Sequence, residues 1–166
     1  VMTPLASDRS SVEVRPYKHG DAADTLAIFL AAVTETASAD YTAEQIQAWA
    51  APEARGLDRW GAAMLNRGSF VAIVGGQMAG FSDVGGNGYV DMMFVAPTFL
   101  RRGVATKLLA HGENLARARN VRGLSADVSV TARPFFESQG FVVVTQQHPV
   151  KRGVTLTNFK MRKCLE

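Results

Sequence analysis

The chain has 166 residues, 47% of them hydrophobic and 20% charged, and its 18 Lys and Arg against 15 Asp and Glu leave a formal charge of +3. That length fits one folded domain with its own core, the hydrophobic fraction excludes a disordered or collagen-like chain, and a mild basic excess without a run of like charges excludes a nucleic-acid-binding arm. The single cysteine, Cys164, excludes an intrachain disulfide and a multi-cysteine metal site.

Residues 12–17 alternate apolar and polar as far as Pro16 and predict a short first strand. After Asp21, residues 22–37 carry Ala22, Leu26, Phe29, Leu30 and Val33 at helical spacing, which predicts a helix with one apolar face. Thr42, followed by Glu44 and Gln45, opens a second helix that bears Ile46 and Trp49 and stops near Pro52, and residues 54–66 predict a third. The period then changes. Residues 70–74, the turn at Gly75 and Gly76, residues 77–84, a glycine-rich turn over 85–88 and residues 89–95 read as three strands of an antiparallel meander. A helix over 104–118 follows, with Val104, Leu108 and Leu115 on one side, then a strand over 123–130, a helix over 132–139 and a closing hairpin of 141–147 with 154–162. The predicted fold is one mixed α/β domain in which helices flank a mostly antiparallel central sheet of about six or seven strands. No apolar run reaches the roughly 18 residues of a membrane span, and the start lacks the basic-then-apolar order of a secretory leader, so a cytoplasmic protein with no membrane partner is the expectation.

The junction between residues 89–95 and the helix at 104 carries the chemistry. A strand ends, a basic loop with one glycine follows, and a helix begins at once. Backbone N–H groups at a helix start have no intrahelical partner, and the helix dipole adds about half a positive charge there. Arg101 and Arg102 add full charges, while Gly103 and Ala105 are small enough for the backbone to approach a phosphate closely. A pyrophosphate is the natural guest. The Gly-Lys-Ser/Thr of a Walker loop and the Gly-X-Gly-X-X-Gly of a dinucleotide loop are both missing from this segment.

Leu100, Arg101, Arg102, Gly103, Val104 and Ala105, after the triplet Met93, Phe94 and Val95, resemble the Gln/Arg-X-X-Gly-X-Gly/Ala signature of the GNAT superfamily of acyl-CoA-dependent N-acyltransferases. Ser129, Ala132, Phe136, Glu137, Gly140 and Phe141 are similar to a second block of that family, Asn-X-X-Ala-X-X-X-Tyr-Glu-X-X-Gly-Phe. The order of elements matches too, over about residues 12–163. The resemblance implies acetyl-CoA as co-substrate, with Met93, Phe94 and Val95 bonding its pantetheine arm through their backbones and Arg101, Arg102, Gly103, Val104, Ala105 and Thr106 holding its pyrophosphate. It implies that the two central strands splay apart, with the Val95 N–H left free to polarise the thioester carbonyl. Ser129 stands where the family has an asparagine that touches the arm. Phe136 stands where many members place a tyrosine to protonate the departing thiolate, and it has no proton to give. Leu100 replaces the usual Gln or Arg.

Attack by an amine with a pKa of about 10.4 needs a group that takes its proton. Strand alternation places Asp91 on one face with Met93 and Val95, and an acid there is either functional, or paired with an arginine or capping a loop. Asp83 and Glu35 are the alternatives. The family builds its acceptor pocket around residues 35–49, where Tyr41 and Trp49 offer an aromatic wall, although Ile46 and Trp49 at helical spacing also suit core packing. His19, His111 and His148 show no ligand spacing, so no metal is expected and solvated surface is their default, with His148 a possible neighbour of the acceptor. The expected activity is direct transfer of an acetyl group to an amine of a small molecule or peptide. A non-catalytic acyl-CoA-binding regulatory module is the alternative, and a homodimer through the C-terminal strands is consistent with the resemblance.

Overall fold

A computed structural model describes residues 11–166. In chain order the elements are β1 (Val12–Pro16), α1 (Ala22–Thr34), α2 (Ala43–Ala50), α3 (Leu57–Asn66), β2 (Phe70–Val74), β3 (Gln77–Ser82), β4 (Tyr89–Val90), β5 (Met93–Val95), α4 (Val104–Ala118), β6 (Gly123–Ser129), α5 (Arg133–Ser138), β7 (Val142–Gln147), β8 (Val150–Lys151), β9 (Val154–Thr155) and β10 (Asn158–Cys164). Two four-stranded sheets, in the orders β1-β2-β3-β5 and β4-β6-β10-β7, form the centre, with β8-β9 as a small separate hairpin. The fold is mixed α/β with antiparallel sheets flanked by helices, and β4 with β6 is the parallel pair.

The two sheets meet at a broken strand. Residues 89–95 read as one strand, but pairing changes at Asp91 and Met92. Before the break, Tyr89 and Val90 pair with Ser125 and Ala126 of β6; after it, Met93, Phe94 and Val95 pair with Ser82, Phe81 and Gly80 of β3. Asp83 holds the break, because its carboxylate accepts the N–H groups of Asp91 at 2.8 Å and Met92 at 3.2 Å. Gly88 fixes the other side: a Cβ there would lie 2.1 Å from the Gly123 oxygen, so only glycine lets β4 come against β6. The meander therefore exists, and its third strand is only Met93–Val95.

The first sheet is covered on both sides, which explains the unbroken apolar run of β2. Phe70, Ala72 and Val74 face a core shared with Leu108 of α4, while Val71 faces one shared with Phe29, Val33, Trp60 and Met64. β5 obeys the same alternation, with Met93 and Val95 toward the α4 side and Phe94 toward the α1 side. Burying side chains such as Phe29 and Val33 stabilises α1 on the sheet by about 1.5–3 kcal/mol each. α4 lies close because β3 offers Gly80, where a Cβ would meet the Phe94 oxygen at 2.8 Å and Val104 at 3.1 Å.

α1 starts where the sequence places it and ends early, α3 starts three residues later than residue 54 and ends at Asn66 as expected, and α4 matches at both ends. Thr42 caps α2 in a capping box, with Thr42 Oγ1 accepting from the Gln45 N–H at 3.2 Å and Gln45 Oε1 from the Thr42 N–H at 2.9 Å. The helix expected over 22–37 stops at Thr34 and continues as a 3-10 turn, Thr36–Ala39. In the closing hairpin β7 pairs with β10 from Asn158 onward, and residues 154–155 turn off to pair with β8. The helical run His19–Ala39 has 21 residues and a mean hydropathy of 1.2, so by length and composition it meets the criterion for a span that the sequence reading found unmet. In the fold this run packs against α2, α3, β3 and β5.

Candidate active site

β5 is an edge strand of its sheet, and cavities lined by Met93, Phe94 and Val95 on one side and by Asp127 and Ser129 of β6 on the other mark a gap between the two strands. The Ala96 N–H donates to the Ala79 oxygen at 2.8 Å and the Asp83 N–H to the Met92 oxygen at 3.3 Å, so residues 92, 94 and 96 turn their peptide groups toward β3. Met93 and Val95 consequently turn theirs outward, into the gap. Across it β6 leaves its pairing with β4 after Ala126, so Asp127, Val128 and Ser129 line the opposite side without a strand partner there. Parallel pairing zips one end of the gap and leaves the other open.

A cavity of about 200 Å³ fills the open end on the α4 side, lined by Met93, Phe94, Val95, Leu100, Ala105, Ser129, Phe136 and a rim from Ala32 to Trp49. Its lining is mostly apolar. Thr36 also lines it, with its hydroxyl oxygen buried and without a hydrogen-bond partner, and what the cavity offers to an amide-bearing chain is a free strand edge. At its mouth Arg101 and Gly103 take left-handed backbone conformations, φ 62° and 78°, and Gly103 is the N-cap of α4. Gly103 sits in open space, so glycine is favoured there by backbone conformation and not by crowding. Arg101, Arg102 and Thr106 are exposed around this helix start, whereas the Val104 side chain is in the core and offers only its N–H. These features fit the pantetheine arm and pyrophosphate of coenzyme A.

A second cavity, about 360 Å³, opens on the other side of the same gap and shares Trp49, Phe94 and Ser129 with the first. Its walls are charged and aromatic: Tyr41, Arg55, Tyr89, Asp91, Asp127, Lys151 and Asn158 all contribute. The Tyr89 hydroxyl donates to Asp127 Oδ2 at 2.9 Å, and burial, that bond and the nearby carboxylates push its ionisation upward. Tyr41 is tied at both faces of its oxygen, donating to the Thr157 oxygen at 2.6 Å and accepting from the Val130 N–H at 2.9 Å. Trp49 packs edge-on against it at 5.5 Å.

Asp91 lies on the rim of this second cavity, in company with Met92 and Phe94. It does not share a face with Met93 and Val95, because the break at Asp91 and Met92 interrupts the alternation that the sequence reading assumed. The arginine partner weighed as the other reading is present: Arg67 Nε stands 3.5 Å from both Asp91 Oδ2 and Asp83 Oδ2. Asp83 is 2% exposed and burial pushes its carboxyl up to about 6, but both of its oxygens serve the backbone of the break and it lines neither cavity of the gap. Glu35 is exposed just past the end of α1 and lines neither cavity. Ser129 accepts the Ala132 N–H at 3.1 Å, and its hydroxyl proton stays free for another acceptor. Phe136 is 5% exposed and closes the first cavity from the core side. His111 is half-buried against the Phe70 ring at 4.6 Å, contrary to the solvated default, and His148 is exposed and outside the second cavity. Thr36, Arg55, Tyr89, Asp127 and Lys151 escaped the sequence reading because each comes from a different segment and none belongs to a local pattern.

Comparison with known proteins agrees with this geometry. Residues 37–163 match the family model described as an acetyltransferase (GNAT) domain. The Escherichia coli (strain K12) protein named uncharacterized N-acetyltransferase YafP is 41% identical over 154 residues, covering 92% of this chain and 96% of that protein. A Rhodopseudomonas palustris structure described as a "GCN5-Related N-acetyltransferase: Aminotransferase, Class-II" is 34% identical with a TM-score of 0.89, covering 94% of this chain and 97% of that one. A Salmonella typhimurium structure, yncA, described as a putative acetyltransferase with its cofactor acetyl-CoA, has the same fold at 22% identity and a TM-score of 0.70, covering 95% of each chain. The chain belongs to the GNAT family of acetyltransferases.

Proposed function

We propose that the protein transfers an acetyl group from acetyl-CoA directly to an amine while both are bound. The observation that carries this reading is that two cavities of different character open on opposite sides of one gap and share Trp49, Phe94 and Ser129. A thioester reaching the gap from the α4 side and an amine from the other would meet without a covalent enzyme intermediate, so positioning does most of the work. Acetyl-CoA supplies the activated acyl group and a leaving thiol whose pKa is close to the ~8.5 of a free cysteine.

This chain's residues do the rest. The free edge of β5 holds the arm, the start of α4 with Arg101 and Arg102 holds the pyrophosphate, and the Val95 N–H faces the gap as the donor for the carbonyl oxygen. Asp91, on the rim of the acceptor cavity, accepts the proton released as the amine nitrogen forms its bond to carbon. The carbon–sulfur bond breaks in the same addition and elimination. Phe136 has no proton for the sulfur, which is protonated instead by water or by the ammonium group of the attacking amine. Arg67 keeps Asp91 aimed at the rim.

Calorimetric titration of acetyl-CoA into the protein, followed by a thiol-release assay with a panel of amines, tests the reading. Binding with amine-dependent release is expected. Binding without release from any amine would favour the regulatory module, and absence of binding would contradict both.

A further inference from the structure

The acceptor cavity has two electrical poles. Tyr89 lies in the field of Asp127, Asp91 and Asp83, whereas the neighbour that acts on Arg55 is another cation, Arg152. Arg55 is half-buried, with its guanidinium 4.4 Å above the Phe29 ring. It donates from Nε to the Ala50 oxygen at 2.8 Å and from a terminal nitrogen to the Trp49 oxygen at 2.9 Å. Those two carbonyls fix its position without neutralising it. Among the described residues, no ion pair includes Arg55, Arg59 or Arg152. Next to the acceptor cavity lies a side cavity of about 210 Å³ lined by Arg55, Arg59, Arg67 and Arg152, and Arg55 and Met92 line both.

Arg152 is held there at a conformational cost. It and Gly153 form the two-residue turn between β8 and β9, both at positive φ, 50° and 80°. Asn or Gly suits the first position of such a turn and an arginine does not, so the backbone alone gives no reason for Arg152. Burial, and then the second guanidinium lining the same side cavity, both work against the charged form of Arg55, an arrangement that an anion between the two side chains would relieve.

We infer that the acceptor is a small amine that also carries an anionic group, a carboxylate or phosphonate, held by Arg55 and Arg152 while its ammonium faces Asp91 and Asp127. The inference rests on the transferase reading above and adds the substrate class to it. A planar carboxylate matches the fork of a guanidinium, and the charge separation across the cavity selects a zwitterion over a diamine or a neutral amine.

Thiol release from acetyl-CoA by the full chain, measured with matched pairs of an amino acid and its decarboxylated amine and with an aminophosphonate, tests this. At least one amino acid or aminophosphonate is expected to exceed its anion-free counterpart in kcat/KM by about tenfold to a hundredfold, the range of a lost charge-assisted hydrogen bond. Whichever anion is preferred identifies the group the arginines take. Arg152→Asn keeps a residue suited to the turn, so its melting temperature should not fall, and it is expected to erase most of that preference; Arg152→Glu is expected to reverse it. Equal turnover of both members of every pair, or a preference untouched by Arg152→Glu, would overturn the inference and leave the transferase standing. Release with no amine of either kind would overturn both.

Discussion

The cavity beside Met93 and Val95 and the cavity beside Tyr89 and Asp127 share a wall of three residues and differ in nearly everything else. The first is narrow, mostly apolar, and built from backbone: a free strand edge, a helix start and a glycine at positive φ. The second is larger and is built from charged and aromatic side chains that five or more separate segments deliver. A site made of backbone groups tolerates change in side chains, which is why Leu100 can stand at the first signature position. A site made of distant side chains is free to diverge, and the proposed specificity for the acceptor is assigned to that side.

Substitutions on the two sides should separate cleanly. The largest effect is expected from Asp91→Asn on the acceptor side: a fall in kcat of about 10²–10⁴-fold, the range for a lost general base, with acetyl-CoA affinity unchanged by calorimetry. An equal loss of cofactor affinity would mean that the charge serves the fold at the strand break instead. Val95→Pro removes the proposed oxyanion donor. The Val95 N–H points away from β3, so the ladder keeps its bonds, and kcat is expected to drop by about 10²–10³-fold with a smaller change in binding. Gly103→Glu is expected to weaken acetyl-CoA binding by about a hundredfold or more while leaving the acceptor cavity intact, and the positive φ costs about 1 kcal/mol of stability. Unchanged affinity would remove the helix start from the cofactor site.

The smallest effect concerns the hinge between the two sides. The Asp83 carboxyl titrates at about 6 in the fold and at 3.8 in its absence, chiefly because burial disfavours the charge. A raised value of this kind gives stability that is complete below 3.8 and is lost as the pH climbs through 6. Relative to Asp83→Asn, the wild-type chain should lose about 2 kcal/mol between pH 4 and pH 7, measured by denaturant unfolding. A flat difference would show that Arg67 compensates the charge fully.

How much of this was legible in the sequence follows the same division. Residues 100–106 and 129–141 are contiguous, so their chemistry is visible as local patterns, and the fold class followed from the succession of periods. The strand break was hidden because alternation over 89–95 carries no trace of the Asp83 carboxylate eight residues earlier in the chain. The resemblance puts Glu35 near the acceptor, but α1 ends at Thr34 and Glu35 lies exposed just beyond it, lining neither cavity. Arg55 and Arg152 lie almost a hundred residues apart and line one side cavity only because the β8 and β9 hairpin folds back over α2. No window of sequence contains that pairing.

The central claim is direct transfer across one gap with both reactants bound. Initial rates of thiol release, measured while acetyl-CoA and an accepted amine are varied independently, test it most directly. Double-reciprocal lines that intersect are expected, because both molecules must occupy their cavities before the acyl group moves. Parallel lines, with a burst of thiol release in the absence of amine, would show a covalent acyl-enzyme and contradict the account.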